Sequence, residues 1–184
     1  VAKAAVDSGV AGKPIKDWDA YKQELSERLG FDNKLVMNIR QKARQQPKRV
    51  VFAEGCDFKI LKAAQFVHHE KIAKPVLIGN EERIKEIILE NKLELDDVPI
   101  VDLQKSVSKE KRLKFAEILY EKRKRKGMTL NEAIEKMFNA DYYGAMMVET
   151  GEADAFISGF TRRYADTIRP ALQVIGVREE FNPI

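Results

Sequence analysis

The residues with the most chemistry in them stand close together near the C-terminal end: Ser158, Thr161, Arg162, Arg163, Asp166 and Arg169. They fall within Asp154-Ala-Phe-Ile-Ser-Gly-Phe-Thr-Arg-Arg-Tyr-Ala-Asp-Thr-Ile-Arg-Pro-Ala-Leu-Gln-Val-Ile-Gly176. The apolar run Ala155 to Ile157 has the length and character of a buried strand. Ser158-Gly159 then makes a turn, where glycine can take a backbone angle other residues resist. Hydroxyls, guanidiniums and a carboxylate follow before an apolar helical pattern begins. Backbone N–H groups, hydroxyls and the positive end of a helix thus converge on one point, which suits an anion such as a phosphate. Arginine adds a planar fork that donates two bonds at once.

Each candidate has a plainer reading beside it. Arg169 lies three residues from Asp166, so a local salt bridge competes with a ligand role. For Arg162 and Arg163 a ligand or interface role and a solvated one stay equally open. Pro170 is tolerated in the helix if that helix begins near Asp166, which puts the proline at the edge of the first turn. Glu54-Gly55 with Asp57 reads as a site edge or as turn plus helix cap, and the second reading weighs more. Cys56 has no activating neighbour in sequence and reads as passive. His68 and His69 are adjacent on a helix and cannot face one metal together. The basic run Lys122 to Lys126 closes a helix, where cations complement the dipole. Met128, Met137, Met146 and Met147 fall near apolar helical positions, for a core or a subunit interface.

The elements that would position these residues follow from periodicity. Strands are expected at 49–53, 75–79, 99–102 and 153–157, short apolar runs without alternation. Helices are expected between them, opened by Asp57, Asn80, Ser108 and Thr129, with a last one over 141–150. Thr129 with Glu132 forms a capping-box pattern. Strand–helix alternation gives an α/β fold, a parallel sheet with helices on both faces and right-handed crossovers. Ahead of it, residues 1–8 read as the end of a helix stopped by Gly9, and 10–16 as a loop with Gly12 and Pro14. Asp17 opens a helix through Trp18, Tyr21, Leu25 and Leu29 that stops at Gly30. A further helix, from Asp32 or Asn33 to Gln46, is expected to connect two units over 31–48.

Composition narrows the class. A chain of 184 residues that is 44% hydrophobic can bury a core. Its 33 basic residues nearly balance 29 acidic ones, and a net charge of +4 gives no case for nucleic acid. One cysteine excludes an internal disulfide and fits a reducing, cytoplasmic setting. No apolar run approaches a membrane span, and there is no signal-peptide pattern. Val1 falls inside a helical pattern and the chain closes on Asn182-Pro183-Ile184, so a piece of a longer protein is expected.

From about residue 35 onward the chain resembles the phosphate acetyltransferase (phosphotransacetylase) family. The resemblance rests on Arg49-Val-Val-Phe-Ala-Glu-Gly55, Lys74-Pro-Val-Leu-Ile-Gly79 and Gly151-Glu-Ala-Asp-Ala-Phe-Ile-Ser-Gly159 running into Ala165-Asp-Thr-Ile-Arg-Pro-Ala-Leu-Gln173. It covers the first half of a family domain, so 49–184 would be an incomplete first lobe. Val1-Ala-Lys-Ala-Ala-Val-Asp-Ser-Gly-Val-Ala11 with Pro14-Ile-Lys-Asp-Trp-Asp-Ala-Tyr21 resembles the tail of a bacterial malic enzyme domain, placed at 1–30. Together they resemble the hybrid malic enzymes. That resemblance implies malate oxidation with NADP and a magnesium or manganese ion in a domain outside this chain. It implies acetyl-CoA as an effector here, and a homo-oligomer, dimer or larger, formed through the transacetylase-like part. Ser158, Thr161 and Arg169 lie in the matching motif, with Arg162 and Arg163 beside them. Active transacetylases usually carry histidine and a small hydroxyl residue where this chain reads Thr161-Arg162-Arg163-Tyr164. The departure favours sensing over acetyl transfer. A working phosphate acetyltransferase and a purely structural dimerisation domain remain the alternatives.

Overall fold

The structure, a computed structural model, describes residues 2–13, 15–27, 31–105 and 108–177. The expected stop of the second helix at Gly30, with Leu29 on its face, lies outside the described residues, as do Pro14 and the closing Asn182-Pro183-Ile184. The chain divides into two compact units, residues 1–45 and 46–184.

The first unit is helical: α1 (Ala2–Asp7), α2 (Trp18–Glu27) and α3 (Phe31–Gln45). Beyond α1, Gly9 takes the left-handed angle that closes a helix end, at φ 73°. Asp17 caps α2 by accepting the N–H groups of Asp19 (2.9 Å) and Ala20 (3.0 Å). Trp18 and Tyr21 meet edge to face at 6.1 Å. The apolar residues of α3, Leu35, Val36 and Ile39, are exposed. The expected connecting helix thus falls within the first compact unit.

The second unit is built on four parallel strands, β1 (Lys48–Phe52), β2 (Ala73–Ile78), β3 (Ile100–Val101) and β4 (Ala155–Ile157), in the order β3-β2-β1-β4. The missing alternation in the sequence has a direct cause, because neighbours in a strand go to opposite faces. Val51 and Ile78 pack under α6 (Lys109–Arg123), α7 (Leu130–Lys136), α8 (Ala140–Glu149) and α9 (Tyr164–Val174). Phe52 and Leu77 pack under α4 (Phe58–His69) and α5 (Glu81–Glu90). Each buried apolar residue of this kind stabilises by about 1.5–3 kcal/mol. The four methionines named above are all buried in the α6–α9 core. Pro75 sits inside β2 without harm. Leu77 and Gly79 donate toward the β3 side, to Pro99 and Val101, so by the two-residue period the Pro75 nitrogen faces that side before β3 begins.

The strand order reverses once. β1 to β2 to β3 runs outward with α4 and α5 on one face. The chain then returns past both strands, with α6 to α8 on the other face, and sets β4 on the free side of β1. Opposite directions on opposite faces give all the crossovers one hand. β1 and β4 are locked at their start by Arg49 and Asp154. The Asp154 carboxylate accepts the Arg49 backbone N–H at 2.8 Å and its guanidinium at 3.1 Å, while Arg49 also reaches the Gly151 carbonyl at 2.9 Å.

Three local expectations are corrected. Ser108 makes no side-chain cap on α6; its hydroxyl donates to the Asp102 carbonyl at 2.8 Å instead. The last of the 46–150 helices starts one residue early, at Ala140, because Asn139 caps it and Asp141 lies inside. α9 starts at Tyr164 rather than near Asp166, so Pro170 lies within the helix, where the Asp166 carbonyl finds no N–H four residues on. Pro170 is buried with Val174 one turn later, which compensates by packing.

Two outcomes follow from this packing. A Cβ on Gly144 would lie 2.4 Å from the Phe156 ring, between α8 and β4. Gly144→Ala should destabilise by about 1–3 kcal/mol as overpacking does, and an unchanged urea midpoint would show that the ring yields freely. The Asp154 carboxyl is pulled down to about 2, first by the Arg49 guanidinium and then by its N–H. Its stabilising contribution is complete above its ordinary value of 3.8 and is lost as the pH falls through about 2. Asp154→Asn should therefore flatten the acid-unfolding curve in that window, read by circular dichroism against the native chain.

Candidate functional site

The reversal of strand order creates a crevice outside the carboxyl ends of β1 and β4, the usual ligand position in open α/β sheets. Phe52 pairs with Ile157, and the Ala53 N–H donates to the Ile157 carbonyl at 3.1 Å. From there the two chains part, β1 toward α4 on one face and β4 toward α9 on the other. Gly55 allows the first loop to lie close over β2: its N–H donates to the Ile78 carbonyl at 3.0 Å, and a Cβ there would meet that oxygen at 2.8 Å. Gly159 gives the second loop its bend, at φ 102°.

Two carboxylates hold the second loop. Glu54, only 9% exposed, accepts the N–H groups of Gly159 (3.1 Å), Phe160 (2.8 Å) and Thr161 (2.7 Å) and the Thr161 hydroxyl (2.5 Å). Burial works to raise the Glu54 carboxyl, but the Thr161 hydroxyl and the three N–H groups outweigh it, and its pKa lies below the ordinary value. Asp141, fully buried at the start of α8, accepts the Ser158 hydroxyl at 2.5 Å and Arg162 Nη1 at 2.7 Å. A buried carboxylate needs such partners, and the arginine supplies the opposite charge.

A cavity of about 620 Å³ opens beside this loop, with Glu54, Thr161 and Arg162 in its wall. Asp57, Asn80 and Asn139 also line it, and each caps a helix, α4, α5 and α8. The positive ends of three helices therefore face one space. Asp57 and Asn80 act as caps as their sequence position implies, and Asp102 adds a carboxylate on the Glu81 N–H at 3.0 Å. Arg112, buried, fixes the wall formed by Leu103 to Lys105 through their carbonyls, and its guanidinium lies over the Phe138 ring at 4.5 Å. Among the described residues, no group of three or more His, Cys, Asp or Glu is placed to hold a metal ion. No helix among them is long and apolar enough to cross a membrane.

The structure thus brings Ser158, Thr161 and Arg162 together at the crevice. Arg163 is the exposed N-cap residue of α9, and Arg169 is exposed on that helix; neither lines the cavity. The Arg169–Asp166 pair allowed by spacing does not form among the described residues. Sequence reasoning gave Glu54 the minor role and passed over Asp141. The available signals were an acid directly after an apolar strand, and an acid leading the apolar stretch Tyr142 to Val148.

The sequence profile of the phosphate acetyl/butaryl transferase family matches residues 34–184. The chain belongs to that family. Its fold agrees: a phosphotransacetylase from Streptococcus pyogenes superposes with a TM-score of 0.69 at 26% identity, over 79% of this chain and 43% of that one. The phosphate acetyltransferase of Acetivibrio thermocellus is 42% identical over 137 residues, 74% of this chain and 40% of its own length. The NADP-dependent malic enzyme of Rhizobium meliloti is 33% identical over 188 residues, 96% of this chain and 24% of its own. That of Salmonella typhimurium is 37% identical over 97% of this chain. The chain therefore spans about a quarter of the malic enzymes it matches and two fifths of the acetyltransferase.

Asp141→Ala should loosen the loop as well as the core, since it strands both Ser158 and Arg162. A loss of about 1.5–3 kcal/mol is expected for a hydrogen-bonded charge at a largely buried site. Urea unfolding measures it, and a loss below about 0.5 kcal/mol, the range of neutral surface changes, would mean the pair holds nothing.

Proposed function

We propose that this chain is a regulatory and assembly module of a hybrid malic enzyme, with acetyl-CoA as its effector. The observation that carries the reading is the reach of the malic enzyme likeness. It extends over nearly the whole chain, including the helices ahead of residue 34, where the transferase profile has not begun. The parent protein then oxidises and decarboxylates malate with NADP and a magnesium or manganese ion, in a domain outside this chain. The module itself performs no acetyl transfer. Its part is to hold phosphate groups of the effector with Ser158, Thr161 and Arg162 at the crevice and with the exposed Arg163 and Arg169 beyond the cavity lining, and to join copies into a homo-oligomer.

The site chemistry supports binding over turnover. The loop that departs from the active pattern places no histidine at the crevice, and its hydroxyls and one arginine are engaged by Glu54 and Asp141. Arg163 and Arg169 are exposed cations that do not line the cavity, available for a ligand large enough to extend beyond it. A second reading, a working phosphate acetyltransferase, is favoured by one observation: the higher identity, 42%, to the Acetivibrio thermocellus enzyme. A structural dimerisation domain is the third.

One titration of the intact protein separates them. Acetyl-CoA should change the rate of NADP-dependent malate oxidation, while acetyl phosphate and CoA should yield no acetyl-CoA. Acetyl-CoA formation would establish the transferase instead. Malate oxidation indifferent to acetyl-CoA, with the oligomer lost on deleting residues 31–184, would leave only the structural role.

A further inference from the structure

The loop after β4 treats one negative charge in an unusual way. Three successive N–H groups, of Gly159, Phe160 and Thr161, and the Thr161 hydroxyl all converge on a single carboxylate. Successive N–H groups bent around one point form a nest, the backbone's own anion-binding concavity. The donors are shared evenly: Oε2 of Glu54 receives Gly159 and Phe160, and Oε1 receives Thr161 twice. Two oxygens of a phosphate present the same pair of acceptors. We propose that this loop is a phosphate cradle whose resident occupant is the chain's own Glu54 carboxylate, so that Glu54 competes within the molecule with a phosphate entering the crevice. The proposal rests on the reading above that the crevice takes a phosphate-bearing ligand, and it adds what that ligand must displace.

Occupant and cradle belong to different elements. Glu54 follows β1 and the cradle follows β4, with 105 to 107 residues between the bonded groups. The side chain can leave without breaking the sheet, because the last rung between the strands is the Ala53–Ile157 bond and the Glu54 carbonyl is held separately by the Asp57 N–H at 3.0 Å. There is space for the exchange, since Glu54 and Thr161 both border the 620 Å³ cavity. The surroundings also suit a group of higher charge than a carboxylate. Arg162 lines the same cavity, and its side chain is one-third exposed although Nη1 rests on Asp141. Lys59 stands with its Nζ 5.4 Å from the ring centre of Phe160, the middle residue of the cradle. When a phosphate replaces Glu54, Arg162 remains in the wall of the same cavity.

An internal competitor lowers apparent affinity by the fraction of time the cradle stands open. A cradle open about one time in ten binds phosphate about ten-fold more weakly than an emptied one. Glu54 would then set a threshold concentration below which the module does not respond.

The experiment titrates inorganic phosphate, and separately acetyl-CoA, into the full chain and its Glu54→Ala and Glu54→Gln variants by calorimetry. Glu54→Ala should bind inorganic phosphate about ten-fold more tightly or better, and acetate should raise its melting temperature by refilling the cradle while leaving the native chain unmoved. Glu54→Gln should fall between, since its amide retains one accepting oxygen. A folded Glu54→Ala that binds phosphate no better than the native chain overturns the proposal. Should both variants fail to fold, the native chain decides: the amide signals of Gly159, Phe160 and Thr161 should shift together and saturably with phosphate, and silent signals overturn it. If neither native nor variant binds acetyl-CoA, the effector reading fails alone, because the inorganic phosphate arm still tests the cradle.

Discussion

Everything at the crevice depends on β4 lying against β1 across a gap of more than a hundred residues. Closing a loop that long costs only about 0.6 to 1.2 kcal/mol more than closing one half or a quarter as long, because the entropy grows with the logarithm of length. The contacts that hold the closure are nonetheless concentrated at its two ends. Arg49 and Asp154 fasten the strand starts, and Glu54 fastens the loop that leaves β4. Between them lie only three paired positions. The middle of β4 is backed by α8, where Gly144 admits the Phe156 ring. A three-residue strand can serve as a structural element here because each of its neighbours on three sides is fixed by a specific contact.

The charges at the crevice are arranged by the same logic. A buried carboxylate must be paired or hydrogen-bonded, and two of them hold the loop. Asp141 answers its burial with a guanidinium and a hydroxyl, Glu54 with neutral donors only. This divides Thr161-Arg162-Arg163-Tyr164 in half. Thr161 and Arg162 turn toward the carboxylates. Arg163 becomes the N-cap residue of α9, and Tyr164, 80% exposed, opens the helix. The two adjacent arginines, indistinguishable as a pair in sequence, therefore have different partners and different freedom.

Much of the fold could be seen in the chain itself. The strands Lys48–Phe52 and Ala73–Ile78 were marked by apolar runs too short for helices, and their lack of alternation identified a sheet covered on both faces. Asp57, Asn80 and Thr129 act as caps because their partners lie two or three residues away. Local chemistry of that range is written in local sequence. Ser108 shows the limit: it has a capping residue's type and place, yet its hydroxyl finds the Asp102 carbonyl, a partner set by how β3 ends. The site was legible only in part for the same reason. Ser158, Thr161 and Arg162 could be picked out by type and spacing, but Glu54 and Asp141, which govern them, lie 107 and 21 residues from the groups they bind. Nothing in their own neighbourhoods announces those partners.

The boundary near residue 45 carries a related lesson. The transferase profile begins at residue 34, inside α3, whereas compactness groups all of α3 with the residues before it. Sequence descent and packing thus assign most of one helix to different units. α3 has reason to obey both. Its early apolar residues Leu35, Val36 and Ile39 remain largely exposed. Yet the malic enzyme likeness covers 96% of the chain while the transferase profile starts within this helix. A helix that the transferase profile includes but that compactness groups with the segment ahead of it shows that the two kinds of boundary need not coincide.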